Sequence, residues 1–176
     1  MNLRKIRIRK RTHGWRTIEA PDERLKAVQR LILNQLKLDE ASKTGYGTAK
    51  GMGLHKALHK FQKNLNEGFQ WVASIDIKNC FPSINPKKPL AMMDTRIADG
   101  VPGLYGKRHL PQGHPISPFL SNLYLTKLDS KLQVWQTIDC LSDGSTTECR
   151  AIRYVDNIWL MCRKKSELEF YLSLSL

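Results

Sequence analysis

Acidic residues are scarce in this chain: 16 Asp and Glu stand against 29 Lys and Arg in 176 residues, a formal net charge of +13. The first 16 residues hold no acid at all, yet Arg4, Lys5, Arg7, Arg9, Lys10, Arg11 and Arg16 all fall there. Such an excess argues against a cationic partner and for a polyanion, most simply nucleic acid. Cysteine is also sparse. Cys80, Cys140, Cys149 and Cys162 form no C-x-x-C pair, which argues against a zinc ribbon and suits a reducing compartment. No apolar run approaches the roughly 20 residues of a membrane span. The basic start lacks the apolar stretch of a secretory signal. Its Arg-rich, acid-free composition is shared with mitochondrial transit peptides, but its alternation reads as part of the fold. A cytoplasmic protein with no membrane contact is the expectation. Repeats and low-complexity segments are missing too, and the length suits one domain with a real core.

What is there has a readable order. KIRIRK alternates, with Ile6 and Ile8 on one face and Arg7 and Arg9 on the other, as in a half-buried strand. With the turn signal His13-Gly14 it predicts a basic β-hairpin. A helix follows, with Pro21 expected in its first turn and Leu25, Val28, Ile32 and Leu36 at helical spacing. A glycine-rich loop, 42–53, leads to a second helix whose apolar face is expected to be Leu54, Ala57, Leu58, Phe61 and Leu65. His55 and His59, four apart on it, lack a nearby acidic third ligand and read as a basic surface. WVASIDI, 71–77, is a strand with Asp76 near its end. The segment 85–109 is polar, with one short helix expected around Leu90–Ala98. Ser117 is expected to cap a helix that starts at Pro118 and runs to about Leu132. Last, AIRYV and IWLMC are strand-like runs separated by Asp156 and Asn157, a tight hairpin signal.

Three segments carry the chemistry: IDIKNCF (75–81), LPQGHPISP (110–118) and RYVDN (153–157). Phosphoryl transfer to a growing chain uses two divalent cations roughly 4 Å apart. Magnesium takes hard oxygen ligands, usually one or two carboxylates plus substrate phosphates. An Asp at a strand end and another at a hairpin tip meet if the strands are sheet neighbours. Asp76 and Asp156 are therefore the candidate metal ligands, and the backbone carbonyl of Ile77 can add a third oxygen.

IDIKNCFPSI resembles the first palm motif of reverse transcriptases, an Asp followed five residues later by an aromatic. LPQGHPISPFLSNLYLTKLD is similar to their next motif, and RYVDN resembles their Tyr-x-Asp-Asp hairpin. RTIEAPDERLKAVQRLIL and GYGTAKGMG resemble the finger motifs of the retron and group II intron branch. The resemblance covers roughly residues 15–170. It implies an α/β fold, with an antiparallel palm sheet packed on helices and with hairpin and helical fingers. Fingers would occupy 1–70 and palm 71–176, the palm containing the short connecting segment 85–109. It implies an RNA-directed DNA polymerase core, with Asp76 and Asp156 holding two Mg2+ ions, Mn2+ being the alternative. Phe81 would be the steric gate under the incoming sugar. Gln112 and Gly113 would contact the nucleotide and the template base pair. Arg16, with Lys10 or Arg11, would grip the triphosphate, a task suited to Arg. RNA template, primer and deoxynucleoside triphosphates are the implied partners, with a structured non-coding RNA, a partner protein or a second copy as further ones.

The chain departs from this pattern in places. Asn157 stands where the family has a second Asp, and a neutral amide oxygen is a weaker magnesium ligand. Asn also suits a turn with positive φ. The stretch between Phe81 and Leu110 is short for this branch. No thumb is expected before Leu176. These departures motivate an alternative, a catalytically impaired reverse-transcriptase-like RNA-binding module, maturase-like or defence-associated.

Overall fold

The computed structural model describes residues 3–9, 14–36, 45–47, 51–93, 101–104, 106–136 and 148–174. In chain order the elements are β1 (Leu3–Arg9), β2 (Trp15–Pro21), α1 (Glu23–Gln35), α2 (Leu54–Asn66), β3 (Trp71–Asp76), α3 (Cys80–Ser83), α4 (Lys87–Leu90), α5 (Ser117–Trp135), β4 (Cys149–Tyr154), β5 (Asn157–Cys162) and α6 (Lys165–Ser173). Helices and antiparallel sheet are mixed, as the α/β expectation requires. The chain divides into two compact units, one of 1–39 and 79–124, the other of 40–78 and 125–176. No helix among the described residues is long and apolar enough to cross a membrane.

In the first unit β1 and β2 form the expected antiparallel hairpin, with Ile6 opposite Ile18 and Arg9 opposite Trp15. Its tip, including the candidates Lys10 and Arg11, lies outside the described residues. Pro21 ends β2 instead of opening the helix. Asp22 is the N-cap of α1, and its Oδ1 accepts from the Leu25 amide at 2.8 Å, satisfying one of the donors a helix start leaves open. The buried stripe of α1 also differs from the expected one. Leu25 and Gln29 are buried, while Val28 is exposed. Gln29 goes inside because its Nε2 donates to the Pro102 carbonyl at 2.9 Å, so a polar side chain is satisfied there. Of the helix expected around Leu90–Ala98, only the start can be followed: α4 ends at Leu90, 91–93 are turn and bend, and 94–100 lie outside the described residues. Helix α5 begins at Ser117 itself. Ser117 is thus a helix residue and not the cap, and its buried Oγ has no hydrogen-bond partner among the described residues.

The second unit is built on a three-stranded antiparallel sheet in the order β3–β5–β4. The sheet is covered on both faces, which is why β5 reads as a nearly continuous apolar run. On one side Ala151, Ile158, Leu160, Leu168 and Tyr171 are packed with Leu132. On the other, Ile152 and Met161 meet Ala57, Phe69 and Tyr46. The inner face of α2 is Ala57, Phe61, Asn64 and Leu65. Leu54 and Leu58, expected to join it, are 45% and 48% exposed. Asn64 takes the inner position and donates to the Met161 sulfur at 3.6 Å.

Candidate functional site

The sheet brings the two candidate carboxylates to one end. Asp76 is the last residue of β3 and stands opposite Asn157, the first residue of β5. The next amide, Ile77 N–H, donates to the Asp156 carbonyl at 3.0 Å. Asp76 is exposed and Asp156 half-buried. One exposed and one half-buried carboxylate at the same sheet end suit a hydrated divalent cation that keeps substrate oxygens in its shell. Among the described residues no three His, Cys, Asp or Glu side chains gather to hold a metal ion, at this sheet end or any other place. His55 and His59 accordingly remain an exposed pair on α2.

The hairpin link is Val155–Asp156, not Asp156–Asn157 as the spacing predicts, because Asn157 already pairs with Asp76 and Tyr154. The positive φ falls on Val155, at 59°, a costly conformation for a β-branched residue. Two contacts hold it. Arg153 Nη1 donates to the Val155 carbonyl at 2.8 Å. The same guanidinium makes a bidentate pair with Asp129 of α5, Nε to Oδ1 and Nη2 to Oδ2 each at 2.6 Å. Arg153 and Asp129 are 0% and 1% exposed, so the pair is geometrically fixed as well as charged. Beside it, Tyr46 N–H donates to the Arg153 carbonyl at 2.8 Å. Gly47 then passes the tip so closely that a Cβ there would lie 2.8 Å from the Val155 nitrogen. This brace was missed in the sequence. An Arg beside Tyr154 reads as a surface cation, and nothing local marks Asp129 as its partner.

The first unit carries a cleft of about 530 Å³. Arg16, Phe81, Gln112 and Gly113, four of the sequence candidates, line it together. Lys26 and Arg30 of α1 line it as well, and they were not foreseen. Their spacing of four on one helix was the available signal. Strand β2 shapes the wall: Glu19 N–H donates to the Gln112 carbonyl at 2.7 Å. Gly113 has φ +105°, and a Cβ there would lie 2.8 Å from the Glu19 oxygen. Only glycine fits such a position without strain. Burial raises the Glu19 carboxyl, but the hydrogen bond and charge of Lys107, with Lys5 and His109, outweigh it and hold Glu19 below the usual carboxylate range. Lys107 Nζ reaches Glu19 Oε2 at 2.5 Å. His114 is 2% exposed, and its Nδ1 lies 3.0 Å from Gln29 Nε2. Burial pushes this imidazole below its ordinary value, against the pull of Glu19.

Comparison with known proteins bears on the family and the fold. The chain is 31% identical over 129 residues to the Retron Ec86 reverse transcriptase of Escherichia coli, covering 67% of this chain and 38% of that protein. It is 29% identical over 150 residues to an uncharacterized 91 kDa protein in the cob intron of Schizosaccharomyces pombe, covering 74% of this chain and 18% of that one. It therefore spans less than half the length of these relatives. Among solved structures, apo telomerase from Candida tropicalis truncated from its C-terminal domain superposes with a TM-score of 0.60 at 14% identity, over 97% of this chain and 45% of that one. This likeness extends the palm-and-fingers fold to nearly the whole chain. The family model described as reverse transcriptase (RNA-dependent DNA polymerase) matches residues 8–174, and the chain belongs to that family.

Proposed function

We propose that this chain is the catalytic core of an RNA-directed DNA polymerase, extending a primer on an RNA template with deoxynucleoside triphosphates. The observation that carries the reading is the junction of two segments distant in sequence. Asp76 pairs with Asn157, and the Ile77 amide donates to the Asp156 carbonyl at 3.0 Å. Reverse transcriptases use divalent metals, and Asp76 and Asp156 supply the hard carboxylate oxygens such ions prefer. Two Mg2+ ions, or Mn2+ in their place, are the ions we assign, with the Ile77 carbonyl as a further ligand and the Asn157 amide oxygen as a weak one. Bound there, such ions would neutralise charge on the transferring phosphate and orient the attacking hydroxyl.

The remaining roles belong to the cleft. Arg16, with Lys10 or Arg11, would hold the triphosphate. Gln112 and Gly113 would present backbone and amide groups to the nucleotide and its base pair. The Phe81 ring would exclude a 2′-hydroxyl by bulk. In this reading residues 1–70 are fingers and 71–176 palm. The direct test is primer extension on an RNA template with the parent and Asp156→Ala. Incorporation by the parent and its loss in the variant support the assignment. Equal incorporation by both sinks it.

A further inference from the structure

The β1–β2 hairpin has two faces, and the cleft accounts for only one. Directly paired residues share a face in an antiparallel ladder. Ile18 and Arg16, which line the cleft, therefore share theirs with Ile6 and Ile8. The opposite face carries Lys5, Arg7 and Arg9 from β1, with Trp15 opposite Arg9 and Thr17 opposite Arg7. All of β1 is exposed. Trp15 is 58% exposed, and the Arg7 guanidinium lies 5.4 Å from its ring centroid. Among the described residues neither Arg7 nor Arg9 has an ion-pair partner. Glu19, the one acid on this face, is buried and already bound to Lys107.

An exposed indole beside arginines that have no acid partner has a specific chemical complement. Phosphates match the guanidinium groups. A flat base matches the indole, with an Arg adding a cation–π contribution. A duplex keeps its base faces inside the stack, so only an unpaired strand offers both groups together. We infer that the outer face of the hairpin, Arg7, Arg9 and Trp15, is a stacking platform for single-stranded RNA, separate from the nucleotide cleft on the other face. This rests on the reading that the chain handles an RNA template, and it adds where the unpaired strand is held.

The test needs neither metal nor nucleotide, so it separates from the extension assay. A labelled oligouridine of about ten nucleotides, within the usual span of such sites, is titrated by anisotropy against the parent, Trp15→Ala, Trp15→Phe and Arg7→Gln/Arg9→Gln. Circular dichroism melts of each variant check folding. Trp15→Ala should weaken binding by about 10-fold to 100-fold, the worth of one stacked base. Trp15→Phe should keep most of the affinity. The double Arg variant should lower the slope of log affinity against log salt by about 1.4, roughly 0.7 per phosphate contact on a single strand. Duplex RNA should respond little to the Trp15 changes. Two results overturn the inference. One is oligouridine binding unchanged in Trp15→Ala together with an unchanged salt slope in the double variant. The other is anionic vesicles or polyglutamate bound as tightly as oligouridine with the same loss in Trp15→Ala. Oligouridine binding that needs Trp15 in a protein with no extension activity would leave this inference standing and remove the polymerase reading.

Discussion

Asp76 and Asn157 stand directly opposite one another across the β3–β5 ladder, so their side chains rise from the same face of the sheet. Placing a second carboxylate at 157 puts two like charges across one rung, which costs about 0.2–1 kcal/mol. A divalent cation would reverse the sign of that interaction. Asn157→Asp should therefore melt below the parent in EDTA and regain or exceed its stability in Mg2+. A melting temperature in Asn157→Asp that ignores Mg2+ would argue against a cation site at this sheet end.

The Arg153–Asp129 pair should be unequal to its halves. Removing one partner strips a buried charge of its bidentate counter-ion, a loss of about 3–5 kcal/mol. Arg153→Met and Asp129→Leu alone should each lose about that much in urea unfolding. The double variant should recover part of it, since a buried pair can be replaced by apolar packing. It should nevertheless exchange the amide protons around Val155 faster, because the carbonyl at the strained tip has lost its donor. A double variant no more stable than the weaker single one would contradict the pairing.

Gly113→Ala tests how β2 shapes the cleft. The residue has φ +105°, and its added Cβ would meet Ile18 and Glu19. A loss of about 1–3 kcal/mol is expected from strain of this kind. A rise in KM for the nucleotide should accompany it. Unchanged stability and unchanged KM would mean that β2 does not press on this turn.

His114 should make the fold acid-sensitive in a defined window. Burial holds its imidazole below the ordinary value, with Lys107 adding to that effect and Glu19 opposing it. Below about pH 6.5, the usual imidazole value, the unfolded chain takes up a proton that folded His114 refuses. Stability should then fall as pH drops through that value. Glu19 acts lower. Its depressed carboxyl adds stability above the unfolded value of about 4.3, and this is lost as pH falls further. Unfolding free energy measured between pH 7 and pH 5 should slope less in His114→Gln. An identical slope would remove His114 from the account.

Much of this was legible because it is periodic or local. Alternation placed β1 and sorted Ile6 and Ile8 from Arg7 and Arg9, but the half-buried strand it predicts is exposed along its whole length. Strand-like runs placed β4 and β5, and the resemblance carried by the three ordered motifs joined Asp76 to Asp156. What was missed depends on distant partners. Gln29 is buried because Pro102 and His114 receive its amide, and no window around residue 29 contains either. Arg153 is buried because Asp129 waits on a helix. The turn was misread for a steric reason: Asn157 favours positive φ intrinsically, yet the ladder claims it, and Val155 takes the strained position under the hold of Arg153.

The most direct measurement is RNA-templated primer extension by the parent, Asp76→Ala and Asp156→Ala, each across a Mg2+ titration. Expected is Mg2+-dependent incorporation by the parent and a loss of at least about 100-fold in both variants, the scale of removing a group that stabilises transition-state charge. Incorporation by either variant at the parental rate and the parental Mg2+ dependence would contradict the assignment of Asp76 and Asp156 as the metal-binding pair.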